Sequence, residues 1–301
     1  MVKRLLSSSS SELLNYNKEE LLQSIKLSEG RTIVSEVIGE ESLFRDLSNA
    51  EVAAAFGADI LLLNLFDLNQ PFFKNIKKGK AAEIVSEIKK LCGRPLGINL
   101  EPVNEENMEA DHFVKLSSGR KATLKNIGQA VEAGFNMITF TGNPSVGVSN
   151  QAIIEAVKIA DQNFGDQIII TAGKMHMAGI DEDYLAAKYI DSLISAGTDI
   201  ILLPAVGTVP GIDLASLKEI IKLIHNRGKL ALTAIGTSQE SADPETIREI
   251  ALMSKMAGAD IQHIGDAAYS GIALPENILT LSKTIRGKRH SYRRMALSIN
   301  R

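Results

Sequence analysis

The sequence predicts one closed barrel of eight parallel strands, each followed by a helix: an α/β (β/α)8 TIM barrel with an extra N-terminal helix. Three observations carry this. Eight short apolar runs alternate with amphipathic stretches along the 301 residues. One phrase, a glycine followed two residues later by Asp or Asn, recurs before every second run. Eight parallel strands in strict alternation lose their exposed edges only by closing on themselves. A doubly wound open sheet uses the same elements but gives no reason for a repeat tied to even strands.

Taken in order, residues 1–16, with a serine tract from Ser7 to Ser11, read as a flexible N-terminus, and a helix is expected from Asn17 to Glu29. The barrel domain then spans 17–301. The strands are expected at Thr32–Ile38, Ile60–Leu65, Pro95–Leu100, Met137–Thr141, Ile168–Ala172, Ile200–Leu203, Lys229–Ala234 and Ile261–Ile264. Each is short, apolar and bounded by Gly, Pro, Asn or Asp, as strands buried on both faces are. Helix starts are marked by the capping box Ser48-Asn49-Ala50-Glu51, by Asp243-Pro244, and by Asp181 and Asp213 as N-caps. Gly228 is expected as a left-handed helix stop. The repeat glycines Gly57, Gly134, Gly197 and Gly258 lie 77, 63 and 61 residues apart, about two βα units each.

Composition bounds the function. The 33 basic and 36 acidic residues leave a net charge of −3, which argues against a surface built to grip nucleic acid or an anionic membrane. The apolar run in Met1–Leu6 stops too soon for a signal peptide, and no stretch approaches the roughly 18 apolar residues of a membrane span. With Cys92 as the only cysteine, neither a disulfide framework nor a cysteine-rich zinc site is available, and a cytoplasmic location is expected. The basic tail 286–301 is expected to be solvated or to contact another subunit of a homo-oligomer.

Chemistry in such a barrel gathers at the C-terminal ends of the strands. The candidate catalytic residues are therefore Glu36 on strand 1, Asn64 on strand 2, Asn99 and Glu101 on strand 3, and Lys174 and His176 after strand 5. Thr139, Thr141 and Asn143 on strand 4, and Gln262 and His263 on strand 8, widen the same polar ring. Lys174, leaving an apolar strand, is read first as an electrostatic anchor and second as a Schiff-base nucleophile, with His176 as proton shuttle. Gly236, Thr237, Ser238 and Gly265 follow strands 7 and 8, where this fold usually binds phosphate. Glu36, Asp67, Glu101 and Asp266 come from adjacent strands and are candidate ligands for Mg2+ or Mn2+. The loops Asp67–Gly79 and Glu101–Gly119 are long enough to act as lids. His112, His225 and His290 carry no chemical role in this reading.

Several motifs carry a resemblance. Asp46-Leu47-Ser48-Asn49-Ala50-Glu51, Phe56-Gly57-Ala58-Asp59, His263-Ile264-Gly265-Asp266, Pro275-Glu276-Asn277-Ile278 and Ile285-Arg286-Gly287-Lys288-Arg289-His290 are similar to an uncharacterised bacterial TIM-barrel family. Its members are loosely labelled phosphoenolpyruvate phosphonomutase-like, and some are associated with sugar phosphotransferase systems. The resemblance implies the barrel and a small phosphorylated or carboxylated ligand. The mutases and isocitrate lyases carry a Lys-Lys-Cys-Gly-His-like catalytic loop and paired metal-binding aspartates. Here Lys89-Lys90-Leu91-Cys92-Gly93 is placed at a helix end before strand 3, and no Asp-x-Asp immediately follows a strand.

The expected function is an enzyme of lyase or isomerase type acting on a small phosphorylated carbohydrate or carboxylate. A Mg2+-dependent phosphohydrolase and a non-catalytic ligand-binding barrel are the alternatives.

Overall fold

The computed structural model describes residues 1–103, 115–178 and 181–301. Eight parallel strands close in sequence order: β1 Thr32–Ile38, β2 Ile60–Asn64, β3 Leu96–Leu100, β4 Met137–Phe140, β5 Ile169–Gly173, β6 Ile200–Pro204, β7 Leu230–Ile235 and β8 Ile261–Ile264, with β8 pairing back onto β1. Among the described residues the α-helices are α1 Ser10–Asn15, α2 Lys18–Lys26, α3 Asn49–Ala55, α4 Ala81–Cys92, α5 Leu124–Glu132, α6 Asn150–Phe164, α7 Ala187–Ser195, α8 Leu214–Asn226, α9 Pro244–Ala257 and α10 Pro275–Ala296. None of these is long and apolar enough to cross a membrane.

The expected caps at Ser48, Asp213 and Asp243 form, and Gly228 stops its helix at φ +74°. Asp181 does not cap: α7 begins at Ala187 after Ala186.

Side-chain alternation along the strands separates two packing layers. Outward residues such as Ile33, Leu61, Ile98, Ile170 and Ile201 meet the helices. Inward residues build an apolar lower core from Val34, Ile60, Leu62, Met137, Ile169, Leu202 and Leu232. Gly97 occupies an inward position because a Cβ there would stand 2.8 Å from the Met137 terminal methyl and 2.9 Å from Leu62 Cδ1. Above this core the inward residues turn polar, and that change of polarity sets the height of the site.

The even-strand repeat has a structural reason. The side chains of Asp59, Asn136, Asp199 and Asp260 accept the N–H of Ile33 (2.9 Å), Leu96 (3.2 Å), Ile170 (2.9 Å) and Ala231 (2.9 Å) near the start of the preceding odd strand. Their own N–H groups donate to the carbonyls of those same residues at 2.8–3.0 Å. Each repeat residue thus clasps the odd strand to the even one where the ladder begins. The glycine before it ends the helix in a left-handed turn.

Both chain ends differ from expectation. Residues 1–16 do not form a flexible terminus: Leu5 and Leu13 are fully buried and close the floor of the barrel with Leu21 and Ile25. The serine tract starts a helix instead of fraying. The Glu12 N–H donates to Ser9 Oγ (3.3 Å), and the Ser9 N–H donates to Glu12 Oε2 (2.8 Å). The basic tail is not solvated over its length either. Arg286 and Arg294 are buried on Asp59, at 2.6 and 2.8 Å, and Arg294 Nη2 donates to Leu5 O (2.6 Å). Composition could not show this, because one buried carboxylate sequesters two of the charges that make the tail look basic.

Candidate active site

A cavity of about 430 Å³ opens at the C-terminal ends of the strands. Glu36, Asn64 and Asn99 reach it from inward positions on β1, β2 and β3, with Thr141 and Asn143 after β4, His176 after β5, Gly236–Ser238 and Glu240 after β7, and Asp266 after β8. Inward alternation from Val34 places Glu36 at the mouth, as expected for a carboxylate that cannot enter the helix-facing layer.

Hydrogen bonds order the rim. Asn99 Nδ2 donates to Glu36 Oε1, and Glu36 Oε2 lies 3.2 Å from His263 Nε2. Asn64 Nδ2 donates to Asp266 Oδ2 (2.9 Å), and the Asn64 and Asn143 amides exchange contacts at 3.0–3.1 Å. Asn143 in turn donates through Nδ2 (2.7 Å) and its backbone N–H (3.1 Å) to Glu101 Oε1. Arg120 holds the other Glu101 oxygen at 2.6 Å. Glu101 therefore stands behind the cavity wall as an anchor for Asn143.

Burial, with Glu36 and Glu240 close by, holds the Asp266 carboxyl well above the ordinary carboxylate range despite its bond from Asn64. Burial likewise raises Glu240. Burial lowers His176, and its Nδ1 accepts the Ala178 N–H (3.0 Å), so the ring is neutral with its proton on Nε2. The rim thus offers two carboxyls inclined to keep a proton and one neutral imidazole donor.

Lys174 is not brought into the cavity. It falls on the outward side of the alternation that puts Thr171 inside, and its buried ammonium lies 3.0 Å from Glu182 Oε2. Burial lowers the lysine and Glu182 partly offsets that. Glu182 also accepts the Asn150 N–H (2.7 Å) at the start of α6. The expected roles of Lys174 as anion anchor or Schiff-base nucleophile are therefore corrected to an ion pair outside the barrel wall.

The candidate metal ligands do not converge. Asp67 staples its own loop, accepting the N–H groups of Asn69 (2.7 Å) and Gln70 (3.0 Å). Burial alone would raise it, but hydrogen bonds from Ser117, Gln70 and Asn69 hold its pKa below the ordinary value. Glu101 is committed to Arg120 and Asn143. Among the described residues no three His, Cys, Asp or Glu side chains are placed to hold a metal ion.

The glycine loops line the cavity, but several of their groups have other work. A Cβ on Gly236 would stand 2.8 Å from the Met175 sulfur, so the glycine makes room for that side chain. The Gly265 N–H donates to Ile235 O (2.9 Å), and the Thr237 hydroxyl donates to Thr208 O. Thr237 and Ser238 are both left-handed, at φ +54° and +77°. Gln262 faces away, donating to Ala251 O (3.0 Å) in α9. The loop after β2 is fastened to β1, with Phe73 buried against Gly39 and the Lys74 N–H on Gly39 O (2.7 Å). The other expected lid lies mostly outside the described residues, at 104–114, and includes His112.

Glu240 was not among the candidates. Within Thr-Ser-Gln-Glu-Ser it reads as an exposed helix-start residue, and only the turn Gln239–Ser241 swings it beneath the rim, fully buried. The parity that turns Lys174 outward, by contrast, is legible by counting from Thr171.

Residues 6–301 match the family model described as Domain of unknown function (DUF7916), and the chain belongs to that family. No curated protein matches the sequence. Among solved structures, a Schiff-base-forming fructose-1,6-bisphosphate aldolase is similar with TM-score 0.55 at 13% identity, over 88% of this chain and 99% of that one. An archaeal fructose-1,6-bisphosphate aldolase, with its catalytic lysine bound to a carbinolamine intermediate, gives 0.54 at 15% identity, over 90% and 99%. A 2,3-dimethylmalate lyase, described as a PEP mutase/isocitrate lyase superfamily member, gives 0.51 at 12%, over 83% and 80%. At these identities the likeness establishes the barrel, not the reaction.

Proposed function

We propose that this member of the DUF7916 family is an enzyme of lyase or isomerase type that moves a proton on a small hydroxylated carbonyl compound held in the barrel mouth. The observation that carries the reading is Asp266: a carboxyl buried between Glu36 and Glu240, kept inclined to hold its proton, and oriented by Asn64. A protonated carboxyl beside an oriented carboxylate is what general acid–base chemistry at neutral pH requires.

In this reading His176 donates its Nε2–H to the substrate carbonyl oxygen and stabilises the charge that gathers there. Glu36, oriented by Asn99, takes a proton from the adjacent carbon or hydroxyl. Asp266 returns one to the opposite end of the reacting unit, which yields isomerisation or, if a carbon–carbon bond is weakened, cleavage. Lys174 takes no part, so no Schiff base is invoked. The acidic lining disfavours an anionic group beside it, so of the expected phosphorylated carbohydrate or carboxylate this reading keeps the carbohydrate character and seats its carbonyl, not its anion, among the acids.

The test is solvent exchange. Aldoses, ketoses, 2-keto acids and their phosphates are incubated with the protein in D2O and followed by NMR. Deuterium is expected next to a carbonyl in at least one class, with the rate falling about 10²-fold or more in Asp266→Asn while the fold stays intact. Exchange unchanged in Asp266→Asn overturns the assignment. Mg2+-dependent phosphate release without exchange would select the phosphohydrolase instead.

A further inference from the structure

We propose that the cavity selects a ligand bearing a protonated amine, seated against the carboxylate of Glu240 on the β7–β8 side of the mouth. The proposal rests on the acid–base reading above for where the ligand binds, and adds the charge that the ligand carries.

Glu240 is fully buried, yet neither of its carboxylate oxygens meets a hydrogen-bond partner. Its own N–H and that of Ser238 lie near enough to favour the charged form, but not at hydrogen-bond geometry. The side chain is not stranded by a loose loop. Asn277 Nδ2 donates to Glu240 O (3.0 Å) and Ala242 O (2.7 Å), which pins the turn from α10. A Cβ on Gly265 would stand 3.5 Å from Glu240 Oε2, so the β8 loop passes directly beside this oxygen.

The surroundings supply acid and, among the described residues, no Lys or Arg, and His263, the one base whose charge would favour ionised Glu240, is already set against Glu36. Glu36 and Asp266 share the cavity, and among the described residues neither Lys nor Arg lines it. The stretches 104–114 and 179–180 contain no Lys or Arg in sequence. Arg120 is held by Glu101, and Lys174 by Glu182. His263 lies on Glu36. A buried carboxylate without a partner is costly unless it keeps its proton, and no Lys or Arg of the described residues reaches the cavity to hold it. An alkylammonium offers three donors and one positive charge in the volume of a methyl group, and so satisfies both Glu240 oxygens while a hydroxylated body meets Asn64, Asn99 and Asn143. Burial raises the pKa of Glu240 first and Glu36 adds to it, while His263 and the nearby N–H groups only partly offset them, as for a carboxylate left without a full counter-charge.

The experiment measures binding of D-glucosamine, N-acetyl-D-glucosamine, D-glucose and D-glucose 6-phosphate to the full-length protein by calorimetry and thermal shift, with MgCl2 alone as a further arm. Glucosamine is expected to bind at least tenfold more tightly than the other three sugars, and Glu240→Gln to bring glucosamine within about twofold of glucose. The comparison with the N-acetyl sugar needs no variant, so it decides the matter even if Glu240→Gln folds poorly. Equal or tighter binding of a neutral or phosphorylated sugar overturns the proposal. So does a larger thermal shift from MgCl2 alone, or no amine-dependent shift with glucosamine, galactosamine and ethanolamine at millimolar concentration. Amine-selective binding without deuterium exchange would leave this inference standing and remove the proposed reaction; exchange without amine preference would do the reverse.

Discussion

At the N-terminal end of the barrel, Asp59 is completely buried between Arg286 and Arg294, and it accepts the Ile33 N–H as well. At the C-terminal end, Glu36, Glu240 and Asp266 share a cavity into which no described Lys or Arg reaches. The lower cluster even recruits its cations from the far end of the chain, in α10, and burial lowers Arg294 to about 9 in spite of Asp59. The same polypeptide thus neutralises a buried carboxylate where architecture alone is at stake. Under the proposed function, the weaker compensation of Glu240 and Asp266 at the mouth is the conflict between stability and function expected of a working site.

That contrast can be broken most directly at its stable end. Asp59→Ala leaves two guanidinium groups buried without their counter-charge and is expected to lower unfolding free energy by about 3–5 kcal/mol in urea titrations. A loss no greater than that of an exposed pair would mean that the lower cluster is ornamental to the fold. Ligand binding per folded molecule should be unaffected.

At the mouth the expected sign reverses. Asp266→Asn is expected to raise stability near neutral pH by on the order of 1 kcal/mol, since it removes a carboxyl whose ionisation the fold resists. Asp266 has its folded pKa raised above 3.8 by burial and by Glu36. Its contribution is therefore full below that value and is lost as pH rises through the folded pKa, because the folded state then binds more protons than the unfolded one. The variant's advantage should vanish in acid and grow with pH until Asp266 ionises. An advantage that grows toward acid would refute the assignment.

The smallest effect belongs to a repeat position nearer the surface. His225 Nε2 lies 2.8 Å from Asp260, which raises the histidine pKa, but the pair is partly open to solvent. His225→Gln is expected to cost less than about 1 kcal/mol by chemical denaturation. With the folded pKa raised above 6.5, that contribution is full at acidic pH and fades as pH climbs through the folded value. A cost matching that of Asp59→Ala would erase the distinction between the buried clasp and the exposed one.

The fold was legible because its signals are local. β1 and β8 run over the expected residues, and the other strands differ by one residue at one or both ends. The repeat residues Asp59, Asn136, Asp199 and Asp260 announced the pairing of odd with even strands, although not the clasp that explains it. At the site, Glu36, Asn64 and Asn99 line the cavity because a polar side chain on an apolar strand has only one inexpensive direction to take, while Asp266 reaches it from the loop just past β8. Lys174 misled because reactivity was read from residue type, while its direction depended on parity.

Sequence by itself determined the element order, the closure and the height at which the interior turns polar, since periodicity, caps and glycine stops act within a few residues. Only the tertiary structure decided which charges would meet. Arg286 and Arg294 reach Asp59 across more than two hundred residues of chain, Leu5 joins the floor of the barrel, and Glu240 is swung under the rim by Asn277. Ion pairing and burial depend on distance in space, and a linear pattern does not encode that distance until the barrel has closed.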